Sequence, residues 1–221
     1  MHIHFCLCED GLMTTRPGPP RQKRSQAAME RILEAAQQLI AEEGIAGFTL
    51  NAVAARAGVA VGTVYQRFAN KEDLLVSAQQ RWLDEVVRTQ REQFLPAAAQ
   101  QPDFVRAVSL YAEQLAALFR GHACLVREFV VYAAAIPALR EAAQQRLDQL
   151  AQERCDVFMA LPDRPPHITR GHILLVLRAV QSLLEWRVAT SPDVAEAIAM
   201  PWDTLADDIP KLVTAYLGHD T

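Results

Sequence analysis

The chain has 221 residues, of which 51% are hydrophobic, and a formal net charge of -4. That length gives one large or two small domains with a substantial core, and the overall acidity does not announce a nucleic-acid binder. Alanine and leucine dominate, glycine is only 9 residues and β-branched runs are scarce, so an all-α fold is expected. The 4 cysteines, Cys6, Cys8, Cys124 and Cys155, are too scattered for a disulfide framework. No apolar run reaches the ~18 residues of a membrane span, and the first 15 residues do not read as a secretory signal. A cytoplasmic protein with no membrane partner is therefore expected.

The charge is unevenly placed. From Arg16 to Lys71 there are eight basic and four acidic residues; residues 72–221 carry 14 basic and 20 acidic ones. The positive charge belongs to one end of the molecule, and the remainder would be repelled by phosphate.

In chain order, residues 1–24 hold Pro17, Gly18, Pro19 and Pro20 and no helical period, and read as a disordered basic arm. Met13 is an alternative start. The run His2-x-His4-x-Cys6-x-Cys8 has metal-ligand residue types, but its spacing is tighter than zinc sites use, so no metal is expected. Helix 1 is expected from Ser25, a good cap, to Glu43, with Gly44 as its stop. Its apolar face is Met29, Ile32, Ala36, Leu39 and Ile40. Helix 2 starts at the Thr49 cap, with Phe48 and Val53 at staple spacing, and ends at Ala57–Gly58. Helix 3 covers about Val61 to Phe68. Helix 4 starts at the Asn70 cap, with Asp73 three residues on, and runs to about Phe94 before Pro96.

The stretch Thr49–Phe68 carries the strongest signal. Ala54 sits where two helices cross closely, Gly58 takes a left-handed turn, and Val64 is an apolar anchor. That pattern is a helix-turn-helix suited to the major groove of DNA. Beyond it, helices are expected at about 103–120, 122–135, 138–160, 167–190 and 202–217, giving about nine in all. Pro210 is expected to kink or split the last.

The run RILEAAQQLIAEEGIAGFTLNAVAARAGVAVGTVYQRFANKEDLL resembles the DNA-binding domain of the TetR (tetracycline repressor) family of bacterial regulators. The likeness covers about residues 25–85. It rests on Gly44, Phe48-Thr49, Val53-Ala54, Ala57-Gly58-Val59, Gly62-Thr63-Val64-Tyr65, Phe68 and Lys71-Glu72-Asp73-Leu74-Leu75. The resemblance implies an all-α homodimer: a disordered arm (1–24), a DNA-binding domain (25–70), and a ligand-binding and dimerisation domain (71–221) joined through helix 4. The helices near 167–190 and 202–217 would pair with those of the partner.

By the same resemblance, Val61, Gly62, Thr63, Tyr65, Gln66 and Arg67 lie at or near the groove of an operator. Gly62 lets the backbone approach. Thr63 and Tyr65 carry hydroxyls for phosphates or base edges, and Gln66 and Arg67 have the chemistry to read adenine and guanine. Lys71 and Thr49, at two helix starts, are suited to phosphate. One departure is Ala60, where the family often has a serine that caps helix 3; such a loss costs about 1 kcal/mol.

The implied partner is double-stranded DNA, with an unidentified small, mainly apolar effector that releases it. An activator, or control by a protein partner, is the alternative. Candidate effector contacts are Trp82, Tyr111, Phe119, Phe129, Tyr132 and Arg178. The stripe Arg178, Gln181, Ser182 and Glu185 reads first as a solvated or dimer-facing edge. No glycine-rich phosphate loop, nucleophile elbow or His/carboxylate cluster is present, so neither an enzyme nor a cofactor is expected.

Overall fold

The structure is a computed structural model and describes residues 20–198 and 200–218. The basic segment up to residue 19, with Met13 and the His2–Cys8 run, lies outside the described residues. All regular structure among the described residues is helical, as the composition predicts.

Helix α1 spans Pro20–Gly47 and begins five residues before the expected Ser25 cap. Residues 20–24 are therefore helix rather than arm. Proline is well suited to a first turn, and the following Arg-Gln-Lys-Arg contains only good helix formers. Ser25 serves instead as an anchor, since its carbonyl and its Oγ both accept from Arg67. Near the other end, Gly44 stands at φ 71°, ψ 170°, a region essentially reserved for glycine. The chain bends there, at the expected stop, and helical turns resume as far as Gly47.

Helix α2 (Leu50–Ala57) follows the Thr49 cap, whose Oγ1 accepts from the Ala52 amide at 3.1 Å. Phe48 and Val53 are both fully buried beside it, as staple partners should be. Helix α3 (Val61–Tyr65) is a short turn and a half. Helix α4 (Lys71–Thr89) starts at Asn70, whose Oδ1 accepts from the Asp73 amide. Asp73 reaches back to the amide of Ala69, closing the start of the helix from both sides.

Helix α4 then widens into one π turn, Gln90–Phe94, and continues as α5 (Leu95–Ala99). Pro96 therefore does not end the rod. It has no amide to donate and its ring crowds the carbonyl one turn earlier. The π turn accommodates both, with the Leu95 amide bonding five residues back to Gln90.

Next come α6 (Phe104–Gly121), α7 (Ala123–Tyr132), α8 (Pro137–Met159), α9 (Arg170–Ala189), the short α10 (Pro192–Ala197) and α11 (Trp202–Leu217). Pro210 lies within α11 without dividing it. The helix packs along α6 through Leu205, Ile209, Val213 and Leu217, and this burial outweighs one missing hydrogen bond.

Two clusters of buried side chains hold the molecule together. One joins α5, α6, α8, α9 and α11. The other fills α1 to α4 and is completed by Leu125 and Phe129 of α7 and Leu139 of α8. The core therefore does not divide at residue 70: the N-terminal domain borrows apolar surface from the C-terminal one. Trp82 of α4 packs against both clusters.

Candidate nucleic-acid interface and effector cavity

The turn between α2 and α3 is built by Gly58, at φ 62°, ψ 41°. Its amide and that of Val59 close the end of α2 on the carbonyls of Ala54 and Ala55. A Cβ at Gly58 would meet nothing within 4 Å, so backbone conformation, not crowding, selects glycine. Ala54 is fully buried against the neighbouring helices.

Helix α3 divides cleanly. Val64 and Phe68 turn into the core. Val61, Gly62, Tyr65 and Gln66 turn outward, and Tyr65 is 55% exposed. An ideal Cβ at Gly62 also meets nothing, so the glycine leaves its backbone open on that exposed side. Ala60 precedes the helix with no side-chain cap, and α3 starts only on the backbone bond from Thr63 to Ala60, 2.8 Å.

The basic residues here are not all free. Arg67 donates to the Thr63 carbonyl (3.2 Å) and to Ser25 Oγ (2.9 Å), tying the end of α3 to the start of α1. Arg56 donates to Glu42 at 2.7 Å, and this bond holds the Glu42 carboxyl below its ordinary range. Lys71 donates to the carbonyl of Ile45 at 2.6 Å and lies 5.8 Å from the Phe48 ring centre. An ammonium has three protons, so this bond leaves Lys71 two others for a phosphate.

Ile45 is held from its other side as well. Its amide donates to Glu128 Oε2 of α7 at 2.8 Å, and the remaining oxygen of that buried carboxylate accepts from Arg127. One residue at the bend of α1 is thus gripped on both sides, its carbonyl by α4 through Lys71 and its amide by α7 through Glu128. Glu128 is not among the residues that motif and spacing single out. Its signal was there: it falls on the buried face Leu125, Val126, Phe129, in register with apolar neighbours.

A cavity of about 430 Å³ opens between α4, α6, α7, α8 and α9. Of the expected effector contacts, Trp82, Phe119, Phe129 and Arg178 line it. Tyr111 is fully buried behind the wall, edge-on to Phe94 and Phe158. Tyr132 instead packs against the N-terminal cluster. The stripe first read as a solvated edge contributes Arg178, Gln181 and Glu185 to the lining. Gln79, Gln90 and Arg154, which the sequence reading did not single out, line it too. Among the described residues, no group of three His, Cys, Asp or Glu side chains is placed to hold a metal, and no helix is long and apolar enough to cross a membrane.

Comparison with known proteins agrees with this geometry. Residues 32–78 match the model for bacterial regulatory proteins of the tetR family. A fatty acid metabolism regulator protein of Bacillus subtilis is 30% identical over 94 residues, 42% of this chain and 48% of that protein. The chain thus aligns with about half the length of this curated relative. Over nearly the whole chain the likeness is one of fold. A structure from Mesorhizobium loti, described as a TetR-family transcriptional regulator, superposes with a TM-score of 0.70 at 21% identity, covering 88% of this chain and 97% of that one. The transcriptional regulator FadR of B. subtilis, in complex with stearoyl-CoA, does so with a TM-score of 0.59 at 17% identity, covering 87% and 100%. Residues 32–78, which hold the helix-turn-helix and the exposed α3 face, are thus similar to the DNA-binding region of bacterial regulatory proteins of the tetR family, and the chain as a whole shares the fold of the solved structures.

Proposed function

We propose that the chain is a ligand-responsive repressor that binds a pseudo-palindromic operator as a homodimer and is released by a small effector in the 430 Å³ cavity. The observation that carries the DNA reading is the outward face of α3: Val61, Gly62, Tyr65 and Gln66 stand together on a helix whose opposite side is locked into the core. Gln66 is the base reader in this reading, since its amide is uncommitted and pairs well with adenine. Tyr65, Thr63, Thr49 and Lys71 position the helix on the backbone. Arg67 acts mainly as the strut that holds α3 against α1.

Dimerisation is supported by exposed apolar side chains on the two helices expected to pair. Leu175 and Trp186 of α9, and Leu212 and Tyr216 of α11, are all 40% exposed or more. Exposed apolar side chains gathered on paired helices are the kind of surface that a partner covers. The effector reading is supported by the cavity, by its contact with α4 through Trp82, Leu83 and Val86, and by the stearoyl-CoA found in the distant FadR fold relative.

Genome-wide mapping of the DNA bound by the full chain, followed by titration on the recovered site, tests the reading. A two-fold related sequence is expected. Tyr65→Ala should weaken binding to every sequence, and Gln66→Ala should relax preference at one position per half-site. Recovery of no recurring sequence, or a Tyr65→Ala variant that binds as tightly as wild type at moderate salt, would overturn it.

A further inference from the structure

Arg154 is the most unusual side chain in the cavity wall. It lies on α8 in the stripe Leu150, Arg154, Phe158, at the spacing of a buried helix face, and is only 5% exposed. One guanidinium nitrogen, Nη1, donates to the Tyr111 hydroxyl at 3.2 Å, and the group stands 5.9 Å from the centre of that ring. Its Nε is buried with no partner. The neighbouring carboxylates are engaged elsewhere: Glu153 with Arg91, Asp156 with Arg170. Among the described residues, Arg154 makes no ion pair.

Nor does Tyr111 supply a counter-charge. Its hydroxyl donates to Gln90 of the π turn, and burial raises the phenol above its ordinary range, so the ring stays neutral. The arrangement is a buried cation, a neutral phenol and an amide in series. A desolvated charge left unpaired is costly, and an apolar residue of similar size would be cheaper at this position. The group is tolerated where something else completes it, and it borders the open space of the cavity.

We propose that the cavity takes an amphipathic carboxylic acid, its carboxylate on Arg154 and its apolar body against Trp82, Leu115, Phe119 and Phe129. This rests on the reading of the cavity as the effector site. A carboxylate matches one guanidinium in charge and accepts the two donors that a planar fork presents. A neutral ligand leaves Arg154 uncompensated. A dianion would find only one buried guanidinium, since Arg140 and Arg178 are exposed and Asp148 and Glu185 line the same space. A coenzyme A thioester puts an uncharged acyl group against Arg154, so the free acid should be preferred.

The experiment titrates octanoate, 1-octanol and octanoyl-CoA into the full-length wild-type protein by calorimetry, and repeats the titrations with Arg154→Gln. Octanoate is expected to bind at least tenfold tighter than either neutral or thioester analogue. Arg154→Gln should remove that preference while leaving octanol binding within a factor of two. Equal binding of acid and alcohol by wild type, or tightest binding of the thioester, overturns the proposal, and this comparison decides the matter even if Arg154→Gln fails to fold. Operator titration separates the two readings. An acid that binds through Arg154 without altering DNA affinity leaves the anion site standing and sinks the repressor reading. A neutral compound that releases the operator while acids fail to bind does the reverse.

Discussion

Glu128 provides the sharpest test of how the two ends of the molecule are joined. Its Oε2 accepts from the amide of Ile45, a buried residue 83 positions earlier in the chain, at 2.8 Å. Glu128→Ala leaves that amide in an apolar surround with no acceptor. An orphaned buried donor costs about 1–3 kcal/mol. Loss of the half-exposed Arg127 pair adds about 0–1 kcal/mol. The expected loss is about 3 kcal/mol, and for a chain of this size each 1 kcal/mol moves the melting temperature by roughly 2–4 °C. Glu128→Ala should therefore lower Tm by about 6–12 °C. Glu128→Gln keeps an acceptor and gives up only charge assistance, about 1 kcal/mol, or roughly 2–4 °C. Thermal unfolding followed by circular dichroism measures both, and hydrogen exchange at the Ile45 amide reports the bond itself. A rigid-cavity account, in which Glu128 merely fills space, requires the isosteric glutamine to be silent and the alanine to cost only its packing. Equal melting temperatures for the glutamine variant and wild type, with unchanged protection at Ile45, would refute the hydrogen-bond argument. Gly44→Ala probes the same point from the other side. Its Cβ would lie 3.0 Å from Glu128 Oε2 on a backbone that disfavours any side chain, so it should be at least as damaging as Glu128→Ala.

Ala60→Ser should supply the missing cap of α3, raising stability by about 1 kcal/mol and tightening operator binding in a fluorescence-anisotropy titration; a weaker complex would show that the alanine is required for close approach. Burial raises the phenol of Tyr111, so the neutral form is favoured by folding. Its stabilising contribution is complete below the ordinary phenol value of 10.0 and is lost as pH rises through the higher folded value. Absorbance at alkaline pH should accordingly show one of the 4 tyrosines ionising only as the chain unfolds, and Tyr111→Phe should abolish that late phase. Leu212→Glu puts a charge on the exposed apolar face of α11. An unpaired buried charge costs about 3–5 kcal/mol, so sedimentation should show the dimer weakened by more than about 100-fold in affinity; an unchanged assembly would remove α11 from the interface.

Local signals carried the N-terminal half of the structure. Thr49, Gly58 and Asn70 each act through their own backbone neighbours, so their caps and turn were readable from residue type and spacing alone. The inward turn of Val64 and Phe68 followed from helical periodicity. Long-range partners were invisible. Nothing near Lys71 announces the carbonyl of Ile45, and nothing near Arg67 announces Ser25. Pro96 reads as a stop because proline removes a helical hydrogen bond; the π turn that lets the rod continue spans Gln90–Phe94 and has no local signature. Arg154 and Glu128 were overlooked for a different reason. Charged residues in helices usually face water, and only their register with Leu150 and Phe158, or with Leu125 and Phe129, marks them as buried.

The two grips on Ile45 also constrain how an effector can act. Phe129 lines the cavity beside Trp82, at 6.0 Å between ring centres, while its neighbour Glu128 holds the Ile45 amide. Successive helix residues point about 100° apart, so one displacement of α7 moves both. The second route runs along α4, from Gln90 and Trp82 at the cavity to Lys71 on the Ile45 carbonyl. The ends of both routes meet at a single residue, two before Gly47 and five before the start of α2. Coupling between ligand and operator is commonly about 1–3 kcal/mol, a factor of roughly 5–150 in affinity. If each route carries part of it, Glu128→Ala and Lys71→Met should each reduce the effector-induced loss of operator affinity, and the double variant should reduce it further. Operator titrations with and without a saturating effector measure that ratio in all four proteins. If α4 alone is the lever, Glu128→Ala will leave the ratio at its wild-type value while still lowering Tm. That outcome would make the α7 contact a structural brace rather than a path for the signal.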